Sequence, residues 1–130
     1  MVHWNEDYKF GFQNQKIVFP KVQSFFKRHI KENLNQYDKY DFEDDLYNYE
    51  LKTRKNTMRK YPDTMITLNK LNDETKKLIL LFSFTDKLTY IEYDKELFKT
   101  FRTNNFSRAN EQWDEKVHIY IPIEHLNIIE

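Results

Sequence analysis

Tyr40-Asp41-Phe42-Glu43-Asp44-Asp45-Leu46-Tyr47-Asn48-Tyr49-Glu50-Leu51-Lys52-Thr53-Arg54 reads as a β-hairpin, and the fold follows from it. Residues 36–42 form the expected first strand, Glu43-Asp44-Asp45 an acidic turn, and residues 46–53 the second strand. Alternation sets Tyr47, Tyr49 and Leu51 on one face and Glu50 and Lys52 on the other. An Asp on the neighbouring strand can bring a second carboxylate beside Glu50. Two converging carboxylates suit Mg²⁺ or Mn²⁺, and a lysine beside them can steady or deprotonate a water. On this reading Asp41 and Glu50 hold the metal, and Lys52 contacts the nucleophile or the scissile phosphate. The bland alternative is a surface hairpin carrying a solvated Glu–Lys pair. Placement between two helical segments argues for a buried strand, where such a pair is costly to desolvate.

Arg54, Lys55, Arg59 and Lys60 follow directly as a local phosphate-binding strip. Further out, Ile17, Val18, Val22, Phe25, Phe26 and Ile30 keep helical spacing. Pro20 either starts a helix over 20–33 or kinks a longer one. Tyr8 to Phe12, around the sole glycine, reads as a turn or a tight helix start. Pro62-Asp63-Thr64 looks like the start of a helix carrying Met65, Ile66, Leu68 and Leu71. The apolar run Leu78 to Phe84 suits a central strand covered on both faces, with a paired strand over 88–93. Asp94 can cap a short helix, 103–115 reads as a loop, 117–121 as the last strand and 122–129 as a final helical turn. The sum is one α/β domain over residues 1–130, a mixed central β-sheet flanked by helices.

The 130 residues carry 32% charged side chains that cancel to a net charge of +0, so any nucleic-acid surface must be local. There is no cysteine, which excludes disulfides and thiolate metal sites. No apolar run approaches the roughly 20 residues of a membrane span, and the N-terminus lacks a signal-peptide pattern, so a soluble intracellular protein with no membrane partner is expected. His3, His29, His118 and His125 show no zinc-ligand spacing. Glu43-Asp44-Asp45 lacks the glycine and downstream Glu of a calcium loop and reads as a solvated turn. Tyr37, Tyr40, Tyr47 and Tyr49 are more readily core than base-stacking residues.

The words Phe10-Gly11-Phe12-Gln13-Asn14-Gln15, Lys39-Tyr40-Asp41-Phe42, Tyr49-Glu50-Leu51-Lys52-Thr53-Arg54, Lys60-Tyr61-Pro62-Asp63-Thr64-Met65-Ile66, Phe84 to Tyr93 and Ile119 to Ile123 carry a likeness. With them the chain resembles the PD-(D/E)xK nuclease superfamily, of restriction-endonuclease-like fold, and especially small proteins of large DNA viruses. The resemblance implies a divalent-metal endonuclease acting on DNA, with Asp41, Glu50 and Lys52 as its signature triad and Lys70 as an accessory phosphate contact. A viral origin would place it in the host cytoplasm or nucleus. Many members add a Glu from the first helix. Here that position carries Gln15, with Glu32 a distant substitute. The short spacing from Asp41 to Glu50 leaves Asp38, Asp44 and Asp45 as alternative partners. Such nucleases often act as dimers, so a homodimer is compatible with the resemblance, although no interface pattern is visible.

Overall fold

The computed structural model describes residues 6–35, 37–71, 75–106 and 116–130. Helix α1 (Glu6–Phe26) contains Pro20, so the longer of the two expected helices forms. Val18 and Val22 are buried and Phe19 and Phe26 pack with them, a stripe that fixes the face turned to the sheet. The helix ends well before residue 33 because Lys27 turns left-handed (φ 54°), its amide donating to Gln23 O at 2.9 Å. Gly11 lies in the second turn of α1, and a Cβ there would meet nothing within 4 Å. A mid-helix glycine costs roughly 0.5–1 kcal/mol relative to alanine. The fold itself gives no steric reason for it.

A six-stranded mixed sheet receives this helix. Its strands are β1 (Lys31–Glu32), β2 (Phe42–Glu43), β3 (Tyr47–Thr53), β5 (Lys77–Ser83), β6 (Leu88–Glu92) and β9 (Asn127–Ile128), in that spatial order. β3 and β5 run parallel from Tyr47↔Lys77 to Thr53↔Ser83, and all other neighbours are antiparallel. Leu78 to Phe82 are buried on both faces of β5, as the apolar run predicts. Tyr49, Leu51, Ile79 and Leu81 face α1. Leu78, Leu80 and Phe82 face a second core with Ile66, Ile119 and Ile121. That core is closed by a three-stranded antiparallel sheet of β4 (Asp63–Thr67), β8 (Lys116–Pro122) and β7 (Thr103–Phe106), together with Phe98 of α2 (Lys95–Phe98), which Asp94 caps. The expected flanking by helices therefore holds on one face, while the other is covered mainly by strands.

Several local expectations are corrected. Residues 63–67 form a strand, because Thr64 and Ile66 are buried while Met65 is exposed, a period of two; a 3-10 turn at Leu68–Leu71 follows. The first hairpin strand shrinks to Phe42–Glu43. Ahead of it Asn35 and Asp38 capture backbone amides, Tyr37 N donating to Asn35 Oδ1 at 2.9 Å and Asn35 N to Asp38 Oδ2 at 3.2 Å, and this competes with strand pairing. The expected final helix is a 3-10 turn at Ile123–His125 leading into β9. Residues 103–106 are strand where a loop is expected, and 107–115 lie outside the described residues, as does His3. Among the described residues no helix is long and apolar enough to cross a membrane.

Candidate active site

β2 and β3 pair with Phe42 opposite Tyr49, which places Asp41 beside the middle of β3. Asp41 N donates to Tyr49 O at 3.0 Å, and Asp41 Oδ2 accepts from Leu51 N at 2.8 Å. These two bonds aim the carboxylate at Glu50. The Glu50 side chain is 5% exposed, projects from the face opposite Tyr49 and Leu51, and is in register with Leu80. Burial pushes its carboxyl up, and the hydrogen-bonding Asp41 carboxylate beside it pushes further, to about 8 despite the opposing charges of Lys52 and Lys70. Lys70 Nζ stands 3.1 Å from Glu50 Oε2, off hydrogen-bonding alignment, so that oxygen is buried without a donor. Lys70 is positioned by its own bond to Lys39 O (3.1 Å) and by Tyr40, whose hydroxyl donates to Lys70 O at 2.8 Å. Lys52, in register with Phe82, is lowered by burial although Glu50 pulls the other way.

Asp41 and Lys52 line a cleft of about 510 Å³ together with Asp38, Arg54, Lys55 and the α1 residues Phe10, Gly11, Phe12 and Gln15. Asn14 Nδ2 donates to Thr53 Oγ1 at 3.0 Å, fastening α1 to β3 along this cleft. The sequence triad is thus brought together. Lys70 joins it at Glu50 itself, where the resemblance implied a more peripheral phosphate contact. Arg54, which lines the cleft, is also tied to β4: its guanidinium donates to Thr64 Oγ1 (3.2 Å) and Met65 O (2.5 Å) and lies 5.7 Å from the Phe82 ring centre. It staples β3 to β4, and burial lowers it. Lys55 stands over Phe10 at 5.4 Å and Lys60 over Tyr61 at 5.6 Å; Arg59 and Lys60 are exposed beyond the cleft lining.

The alternative acids divide cleanly. Asp38 lines the cleft but accepts from Asn35 N. Asp44 is not in a solvated turn, as expected, but buried. It accepts from Arg28 Nε (2.6 Å), Tyr49 Oη (2.6 Å) and the amides of Leu46 and Tyr47 (both 2.8 Å), while Arg28 also reaches Asp45 at 2.9 Å. Burial pushes Asp44 up, but these donors outweigh it and hold the carboxyl well below the usual range. Glu32 is clasped by Gln15 Nε2 (3.0 Å) and Lys16 Nζ (2.9 Å). Among the described residues no group of three or more His, Asp or Glu converges. The acids at this point are two, Glu50 and the Asp41 beside it. The pair fits a hard divalent cation, which can be held by one or two carboxylates with water and phosphate oxygens completing its shell. Glu50 Oε2, buried and 3.1 Å from Lys70 Nζ, is the atom such an ion would share with that lysine.

Sequence reading missed the wall formed by Phe10, Gly11 and Phe12. The available signal was a lone glycine between two phenylalanines at the start of a helical pattern. Comparison with known proteins adds no relative: no family model matches the chain, and neither a curated protein nor a solved structure matches it.

Proposed function

We propose that this protein is a divalent-metal-dependent endonuclease of restriction-endonuclease-like fold that hydrolyses DNA phosphodiester bonds, using Mg²⁺ or Mn²⁺. The observation carrying the reading is the buried Glu50 carboxyl with the half-buried Asp41, Lys52 and Lys70 around it, beside a cleft that Asp41 and Lys52 line. Asp41 and Glu50 are the ligands in this reading. The chemistry a bound ion supplies is polarisation of a phosphoryl oxygen and acidification of a water. Lys52, lowered by burial, can hold or pass a proton at Nζ close to the scissile phosphate. Lys70, 3.1 Å from Glu50, offsets the negative charge of the carboxylates. In this reading Lys55 at the cleft and the exposed Arg59 and Lys60 beyond it grip the DNA backbone, and Arg54 holds the end of β3 against β4.

One observation favours a second reading, a nuclease-fold protein that binds nucleic acid or a protein partner without cutting. Gln15, the uncharged residue at the position where the resembled superfamily often carries a Glu, lines the cleft and donates to Glu32. Purified protein incubated with supercoiled, linear and branched DNA separates the two. Nuclease action predicts cleavage with Mg²⁺ or Mn²⁺, none with chelator, and loss in Glu50→Ala and Lys52→Ala. Cutting by either variant at the parent's rate rejects the assignment. Salt-sensitive binding that survives chelation and Glu50→Ala, with no cleavage, supports the second reading.

A further inference from the structure

One wall of the cleft that Asp41 and Lys52 line is made from α1. Phe10 and Phe12 are 38% and 44% exposed, and Gly11 between them leaves open space where a side chain would stand. Leu34, 67% exposed, extends the apolar rim. Lysines accompany the rings, Lys55 over Phe10 at 5.4 Å and Lys16 over Phe12 at 5.3 Å. Exposed rings beside cations at a cleft are the equipment of single-strand binders, which stack bases on aromatic faces while the backbone follows a positive groove. Duplex binding instead draws on many phosphate-neutralising cations. Here the net charge is +0, Arg54 is engaged on β4, Lys70 on Glu50 and Lys16 on Glu32.

We propose that the cleft takes an unpaired nucleic-acid strand, with bases stacked on Phe10 and Phe12 and the sugar–phosphate chain crossing Gly11 toward Lys52 and the Asp41–Glu50 pair. This rests on the nuclease reading for the phosphate-facing end and names the class of substrate. The missing Gly11 side chain lets the strand lie against the helix, and the rings supply sequence-tolerant affinity that a neutral protein cannot draw from charge.

Fluorescence anisotropy of short labelled single-stranded DNA, single-stranded RNA and blunt duplex, with chelator present, tests it on the full chain. At least one single strand binds roughly tenfold or more tighter than duplex, and the preference between DNA and RNA identifies the sugar recognised. Phe10→Leu and Phe12→Leu each weaken that binding by roughly fivefold to a hundredfold, the loss of one base–ring stack. Gly11→Ala weakens it too while leaving the helical circular dichroism intact. Duplex bound as tightly as both single strands, or well-folded ring variants that bind like the parent, overturns the proposal; an unaffected Gly11→Ala overturns the path across the helix. Mn²⁺ titration of the same proteins separates this from the nuclease reading. Stacking-dependent strand binding by a protein that takes up no Mn²⁺ removes the nuclease and leaves the strand site, and Mn²⁺ uptake without single-strand preference does the reverse.

Discussion

At Glu50, burial and the neighbouring Asp41 carboxylate both disfavour the charge, so the folded chain holds a proton there that the unfolded chain releases at about 4.5. Between about 4.5 and about 8 the native state binds more protons, and stability therefore falls as pH rises through that window. Glu50→Gln removes the slope. Chemical denaturation should find it no more stable than the parent below the window and more stable by a few kcal/mol above it. Asp44 has the opposite sign. Its carboxyl is lowered in the fold, so its contribution is present above the ordinary carboxylate range and is lost as pH falls toward the folded value. Asp44→Asn leaves Arg28 and Tyr49 without their acceptor. It should cost about 3 kcal/mol near neutrality, read as a lower urea midpoint. Glu50 was legible as a functional candidate because a period of two isolates it on a polar face. Asp44 was not, since nothing in an acidic turn tells which acid will find Arg28, which lies just past the end of α1.

The helix α1 is closed by a lysine in a backbone region that glycine enters freely. Lys27→Gly should therefore raise stability by about 1 kcal/mol, seen as a higher thermal midpoint with the helix content unchanged. The elements readable from sequence are those whose pattern is set locally. β5 is an unbroken apolar run, β3 alternates, and α2 carries its own cap in Asp94. β4 looks helical in the sequence because its strand character comes from pairing with β8, where Thr64 meets Ile121 and Ile66 meets Ile119. That partner lies more than fifty residues on. The two-residue strands β1 and β9 have no pattern of their own; Lys31 and Glu32 are strand only by their pairing with Glu43 and Phe42.

Across the whole molecule the mixed sheet separates two apolar cores, one under α1 and one under the small sheet. The strand β5 belongs to both, through Leu81 on one side and Leu80 and Phe82 on the other. Leu81→Ala and Ile121→Ala, drawn from opposite cores, should each lower stability by about 2–5 kcal/mol. Both should preserve one cooperative transition followed equally by near- and far-UV circular dichroism, whereas two separated transitions would mean that the layers unfold independently. The same layering puts the site where it is. Glu50 and Lys52 point from β3 toward the second core, and Asp41 reaches them from the end of the neighbouring strand. The central claim is that these carboxylates form a divalent-cation site. Mn²⁺ binding followed by electron paramagnetic resonance tests it most directly. The parent should take up the ion, Glu50→Gln and Asp41→Asn should each weaken uptake roughly tenfold or more, and Asp38→Asn should leave it unchanged. A parent that takes up no Mn²⁺, or a Glu50→Gln protein that takes it up equally well, would contradict the account.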